Sequence, residues 1–242
     1  MTKTLIHAAL LATAMIAAPN ASALTQTEAA SAALSASAQR FGALYVPIDL
    51  SLESAIAGFN KEFEPAIRAD PNVVALDQRF PGLIDVAGKA GRDAMEGAMR
   101  RELPATQQRI AALAGARFTT AELDTINAYL ASPEGQKLQR VMAETVDGSA
   151  LSQEMRATGE VPQLDGQKLL AMINPAALGR LNKAELASLI KFSASPAGRK
   201  FDATGSELAE LVASEMNNII AAMKPDIEQA VVAAITAHLG QK

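Results

Sequence analysis

The sequence predicts an all-α fold: a helical bundle with two related helix–corner–helix stretches and a long, kinked C-terminal helix. Three observations carry that expectation. Large apolar residues recur at three- and four-residue spacing through most of the chain. No run of β-branched residues alternates with polar ones, and no Asn-Gly or Asp-Gly turn joins two strand-like runs. One pattern of helix punctuation also occurs twice at a constant offset, over residues 118–138 and 181–201.

The 242 residues are 49% apolar, enough for one large or two small domains with a substantial core. Much of that apolar content is Ala, while aromatics make up 4% and Trp is absent. Such a composition favours helices that pack closely over aromatic-lined clefts. The 22 basic and 26 acidic residues give a net charge of −4. That mild acidity offers no basic face for a nucleic acid and no pull toward anionic lipid. There is no cysteine, so stability must come from packing rather than disulfides.

Residues 1–23 read as a secretory signal. Lys3 supplies the positive start, Leu5 to Ala18 the apolar stretch, and Ala21-Ser22-Ala23 a small-x-small site with cleavage before Leu24. The apolar stretch is shorter than the roughly 20 residues a membrane span needs. No later segment is long and apolar enough to cross a bilayer. The expected mature protein is exported and periplasmic, with a helical N-terminal region over 24–113 and a C-terminal helical region over 114–242.

Residues 25–39 are mostly Ala, Ser, Thr and Gln and predict partial order at best. Phe41 to Leu50, with Tyr45, Val46, Pro47 and Ile48, predicts an extended surface crossing. Ser51 is placed to cap a helix over Leu52, Ile56, Phe59, Phe63 and Ile67, which Pro65 should kink or end. Asp70-Pro71 is a cap followed by a first-turn proline, starting a short helix toward Phe80. Pro81 should open a longer one, with Leu83, Val86, Ala90, Ala94, Met95, Ala98 and Met99 on one side. Gly88 and Gly91 fall in this helix; small residues on its buried face would let a neighbour approach closely. Pro104 should bend or break it.

In the first of the paired stretches, Thr119 and Glu122 form a capping box flanked by Phe118 and Leu123 as a hydrophobic staple. The second puts Asn182, Glu185, Leu181 and Leu186 at the same positions. Ser132-Pro133 and Ser195-Pro196 then end one helix and start another, Ser as cap and Pro as first helical residue. Gly135 and Gly198 follow, where a missing side chain permits a tight crossing. Asp147 to Asp165 reads as a loop or linker. Beyond the second corner the apolar stripe is the longest in the chain. Leu208, Leu211, Val212, Met216, Ile219, Ile220 and Met223 predict a long helix, kinked at Pro225 and continuing through Ile227, Val231, Ile235 and Leu239.

The arrangement of Ala-Glu-Leu, an aromatic, and Ser-Pro-x-Gly-x-Lys resembles the bacterial family called domain of unknown function 2059. The likeness is clearest over Leu181 to Phe201, and Phe118 to Leu138 looks like a more degenerate second copy. It implies an exported, all-helical protein of the Gram-negative envelope. The family tends to place two adjacent aromatics before the Ser-Pro corner, whereas Tyr129-Leu130 and Phe192-Ser193 keep only the first. The likeness implies no activity, cofactor or catalytic residue.

Chemistry-bearing residues are sparse. Without the leader, His238 is the only histidine, so a zinc site would rest mostly on carboxylates and a Ser-His-Asp set would depend on a residue near the C-terminus. His238 reads better as a cation at a helix end. Glu122 and Glu185 recur, and a pair of acids suits glycoside hydrolysis at a suitable separation, but the capping box already accounts for both. Lys137 and Lys200 lie in first turns where free N–H groups hold anions; solvated or ion-paired lysine is the plainer reading. The Leu208–Met223 stripe reads as core, with the lining of a lipid-binding groove as the alternative.

No catalytic, cofactor-binding or metal-binding residue is therefore assigned. The leading expectation is a non-enzymatic envelope protein that binds another envelope protein or an assembly. The alternatives are a periplasmic carrier of a hydrophobic small molecule or lipid and, more remotely, a cell-wall hydrolase. The corner chemistry predicts that Ser195→Ala lowers stability by roughly 1 kcal/mol through the lost cap. An unchanged melting temperature would count against that corner.

Overall fold

The computed structural model describes residues 34–146, 148–158, 162–172 and 175–240; the expected signal segment 1–23 lies outside them. Every regular element among the described residues is helical. The first, α1 (Ala36–Tyr45), is capped by Ser35, whose hydroxyl accepts from the Ala38 N–H at 3.2 Å. The extended crossing expected over Phe41 to Leu50 is instead the end of α1 and the start of α2 (Ile48–Gly58). Burial decides this. Ala38 and Phe41 are fully buried in a cluster with Ile110, Ala114, Phe118 and Leu123, and only helical spacing puts residues three apart on one face.

The break between α1 and α2 is satisfied from outside. Gln107 donates to the Val46 carbonyl at 2.8 Å and Gln139 to the Leu44 carbonyl at 2.7 Å. Pro47, not Ser51, occupies the N-cap of α2, and the Ser51 hydroxyl donates to the Pro47 carbonyl at 2.9 Å.

A single π-turn, Phe59–Phe63, leads from α2 into α3 (Glu64–Ala69). Pro65 has no N–H to donate and its ring crowds the carbonyl of Lys61, so the helix changes register just before it. Asp70 caps α4 (Pro71–Arg79), its carboxylate accepting from the Asn72 N–H at 2.8 Å. The next helix opens two residues later than Pro81. Gly82 takes a left-handed φ of 88° at the turn, and α5 runs Leu83–Arg117. It is not broken at Pro104. One hydrogen bond to the Arg100 carbonyl is forgone, while Met99, Leu103 and Ile110 stay buried on the same face.

The boundary expected near 113/114 thus falls inside an unbroken helix. The two regions also share both large apolar clusters: one joins Leu52, Val73 and Met95 to Ile219–Ile235, the other joins Phe41 and Ile110 to Ile126 and Leu208.

Past α5 come α6 (Thr120–Leu130) and α7 (Pro133–Thr145). The stretch expected as a linker contains α8 (Ser149–Thr158), followed by an extended piece over 162–165 and α9 (Gly166–Ala171). A 3-10 turn, Pro175–Arg180, precedes α10 (Lys183–Ala194). The last helix, α11, runs Pro196–Gly240 without interruption at Pro225. At 1.5 Å per residue, α5 is about 50 Å long and α11 about 65 Å.

These two helices run antiparallel and form the spine. Gly91 faces Ile227 and Val231, Arg101 pairs with Asp226, and Arg117 pairs with Glu207, so position falls on α11 as it rises on α5.

Both Ser-Pro corners have the same local geometry. Ser132 N–H donates to the Tyr129 carbonyl at 3.0 Å, and Ser195 N–H to the Phe192 carbonyl at 2.9 Å. Each serine hydroxyl then accepts from the glycine three residues on, at 3.1 Å for Gly135 and 3.0 Å for Gly198. A Cβ at Gly135 would lie 2.0 Å from the Tyr129 carbonyl oxygen, and one at Gly198 would lie 1.9 Å from that of Phe192. The glycine is thus demanded by backbone, which cannot step aside. Gly205, in the same helix as Gly198, has nothing within 4 Å of such an atom. Gly198→Ala should therefore lower stability by about 3 kcal/mol, while Gly205→Ala should raise it by about 0.5–1 kcal/mol. Urea unfolding midpoints check both, and a similar shift for the two variants would refute the corner geometry.

Candidate functional site

Each residue nominated by the sequence has a definite place. Glu122 closes its capping box, one carboxylate oxygen accepting from the Thr119 N–H at 2.7 Å. The same oxygen accepts from Lys200 Nζ at 2.7 Å, and that ammonium lies 5.6 Å from the centre of the Phe118 ring. Two candidates from different stretches, 78 residues apart, thus meet each other. Nothing in the sequence announces this pairing.

The hydrogen bond from Lys200, and then that from the Thr119 backbone, hold the Glu122 carboxyl below the usual range. A general acid in glycoside hydrolysis needs the opposite shift. Glu185 accepts from the Asn182 N–H at 2.8 Å to close the second box. Lys137 has no ion-pair partner among the described residues.

His238 lies at the far end of α11, where its Nε2 is 3.1 Å from the Pro81 carbonyl, beside Gly82. It fastens the end of the spine to the turn between α4 and α5. The stripe from Leu208 to Met223 is largely interior: Leu208, Ile219, Ile220 and Met223 are all buried. These four fill the two large clusters, while Met216 packs in a smaller one with Leu164 and Ala213.

The sequence reading missed Glu215. This carboxylate stands on the apolar side of α11, its side chain 6% exposed, and pairs with Arg109 of α5. A signal was present: Glu215 falls four residues after Leu211 and four before Ile219, in register with the buried stripe. Arg101–Asp226 at 2.9 Å and Arg117–Glu207 at 2.5 Å flank it along the same seam. Beside the seam, Arg109, Leu113, Glu207, Glu210, Leu211 and Ser214 line an open depression of about 470 Å³. Its lining mixes two leucines with charges of both signs, which suits contact with another polypeptide better than capture of a single ion.

The two corners meet through their aromatics. The rings of Tyr129 and Phe192 stack with centroids 4.2 Å apart and planes within 3°. Helix α6 packs on α11, and α10 packs on α7, so each first helix lies on the other stretch's second helix. Burial, together with the charge of Glu134, pushes the Tyr129 phenol up. On the outer side, α10 has no buried residue at all, and Ile190 is 67% exposed.

No group of three His, Cys, Asp or Glu residues able to hold a metal ion exists among the described residues. No helix among them is long and apolar enough to cross a membrane. No family model matches the chain, and no similar curated protein or solved structure is found.

Because the folded pKa of Glu122 is depressed, its contribution to stability is full above its ordinary value of 4.5 and is lost as pH falls through the folded value. Glu122→Gln should therefore destabilise at neutral pH, with the difference from the native chain shrinking below that ordinary value. Urea midpoints measured from neutral pH down to about pH 3 check this. A difference that does not change with pH would mean that only the cap, and not the charge, matters.

Proposed function

We propose that this chain is a non-enzymatic, exported envelope protein that acts by binding another protein. The observation that carries the reading is the outer side of α10. Ile190 stands 67% exposed there, with Ala184, Ala187 and Ala194 also exposed and Lys183 and Lys191 alongside. Ile190 with the neighbouring alanines makes an apolar strip edged by lysines on a helix none of whose residues is buried, which supports reading this side as a contact surface.

The fate of the chemical candidates supports the same reading. Glu122 and Glu185 serve caps, Lys200 serves Glu122, and His238 meets a backbone carbonyl. The carrier alternative draws less support, because the stripe that would line its groove is largely buried in the core. The likeness to the domain of unknown function 2059 family adds the envelope setting to the proposal and no activity.

A photo-crosslinking residue at Ile190, introduced in cells, tests the proposal. The expected outcome is a discrete adduct with another protein from position 190 and none from the exposed control position Ala112 on α5. Equal or absent crosslinking at both positions would refute this surface. Native mass spectrometry of the same protein provides the second arm: a reproducible mass excess of lipid size would turn the reading to a carrier.

A further inference from the structure

Residues 162–165 form an extended strap across α11 and lead into Gly166, the first residue of α9. Pro162, Leu164 and Gly166 are buried while Gln163 and Asp165 are exposed, so alternate residues face the helix as in a β-strand. Leu164 is 4% exposed and sits with Ala213, Met216, Leu169 and Met172, in a cluster separate from the two large ones.

The main chain of the strap is read directly by side chains of α11. The Leu164 N–H donates to Asn217 Oδ1 at 3.1 Å, and Asn217 Nδ2 donates back to the Leu164 carbonyl at 2.8 Å. One carboxamide thereby replaces a neighbouring strand, since it offers both a donor and an acceptor. Two residues on, the Gly166 N–H donates to Glu210 Oε2 at 2.7 Å. A Cβ at Gly166 would lie 2.9 Å from the Glu210 backbone nitrogen, so this position must lack a side chain.

We propose that this face of α11 is a peptide-docking groove that the chain's own strap occupies in cis, and that a partner's extended segment of the pattern Leu-x-Gly displaces it. The reading rests on the protein-binding function proposed above and names the chemistry of the partner segment. Recognition of a main chain by fixed donors and acceptors supplies affinity, and alternate pockets supply selectivity. Here Asn217 and Glu210 hold the backbone, the Ala213–Met216 hollow takes one leucine, and the close approach to α11 admits only glycine two residues later. The strap is seated outside the large clusters that hold the spine, by Leu164 and three main-chain hydrogen bonds, and α9, which follows it and packs on α11 with Leu169 and Met172 in the same small cluster, is displaced with it. Glu210 also lines the open depression, so a bound segment can extend from the groove onto that surface.

The test uses a fluorescently labelled synthetic peptide of residues 161–168 and the full chain carrying Leu164→Asp, which unseats the strap. The peptide should bind this variant at least about tenfold more tightly than the native chain, and adding Asn217→Ala should remove at least about tenfold of that affinity. A folded Leu164→Asp protein that binds no better than the native chain overturns the proposal. So does concentration-dependent dimerisation of the native chain that Leu164→Asp abolishes, because the groove would then serve a second copy.

Amide hydrogen exchange on the native chain decides the matter without any variant. Leu164 and Gly166 amides should exchange at least about a hundredfold faster than those of Ile219 and Ile220. Equal protection would mean that the strap does not open, and would overturn the proposal. Peptide binding can fail while position 190 still crosslinks a partner; that result removes the groove and leaves the wider reading standing.

Discussion

Two helices of 35 and 45 residues carry apolar stripes that neither can shield alone, and the antiparallel seam between α5 and α11 is where both stripes leave water. Close approach is possible because small residues line part of the contact, as at Gly91 against Ile227 and Val231. Both large clusters are completed by residues from this pair: Met95, Met99 and Leu103 with Ile219 to Ile235 toward one end, Ile110 and Ala114 with Leu208 toward the other. The elements before α5 then cover one flank, and the paired stretches cover the rest. Salt bridges along the seam sit mostly in solvent and set register more than stability. Arg109–Glu215 differs, because its carboxylate is almost fully buried and would be left without a counter-charge if the arginine were lost.

The corners show how backbone sterics and side-chain stacking combine. At each one, a serine cap, a first-turn proline and a glycine fold the chain back against the carbonyl of an aromatic residue. That aromatic is then aimed at its counterpart, and the Tyr129–Phe192 stack couples the two turns. The bond from Lys200 to Glu122 adds a second tie across the same contact. A capping box and a corner are local devices, but in this protein their residues also make the long-range contacts. The Glu122 carboxylate illustrates the point, since it serves its own helix and the other stretch with a single oxygen.

For function, the balance of polar groups matters more than any single residue. Glu122, Glu185 and Lys200 are engaged with backbone or with each other, whereas the most exposed large aliphatic side chain among the described residues, Ile190, stands on α10 and main-chain recognition lies on the strap side of α11. Both features are ways of engaging polypeptide. The strap and most of the apolar side of α10 belong to the small clusters, where local opening is cheapest in free energy.

The sequence by itself determined the helical class, the Asp70-Pro71 start, both capping boxes and both Ser-Pro corners. Each depends on residues within a few positions of one another, and the favoured backbone geometry follows from their own sterics and hydrogen bonds. It also marked the apolar stripe of α11, because helical periodicity is a local property. The fate of Phe41 to Leu50 was decided by tertiary structure, since the helical form there gains only when Ile110, Phe118 and Leu123 are present to bury it. The same holds for Pro104 and Pro225, where packing on both sides of a missing hydrogen bond keeps the helix continuous. Glu122 meeting Lys200, Glu215 meeting Arg109 and Asn217 gripping Leu164 are contacts between residues 53 to 106 positions apart. Only the folded chain brings such distant groups within hydrogen-bond reach, because no local rule of backbone geometry links them.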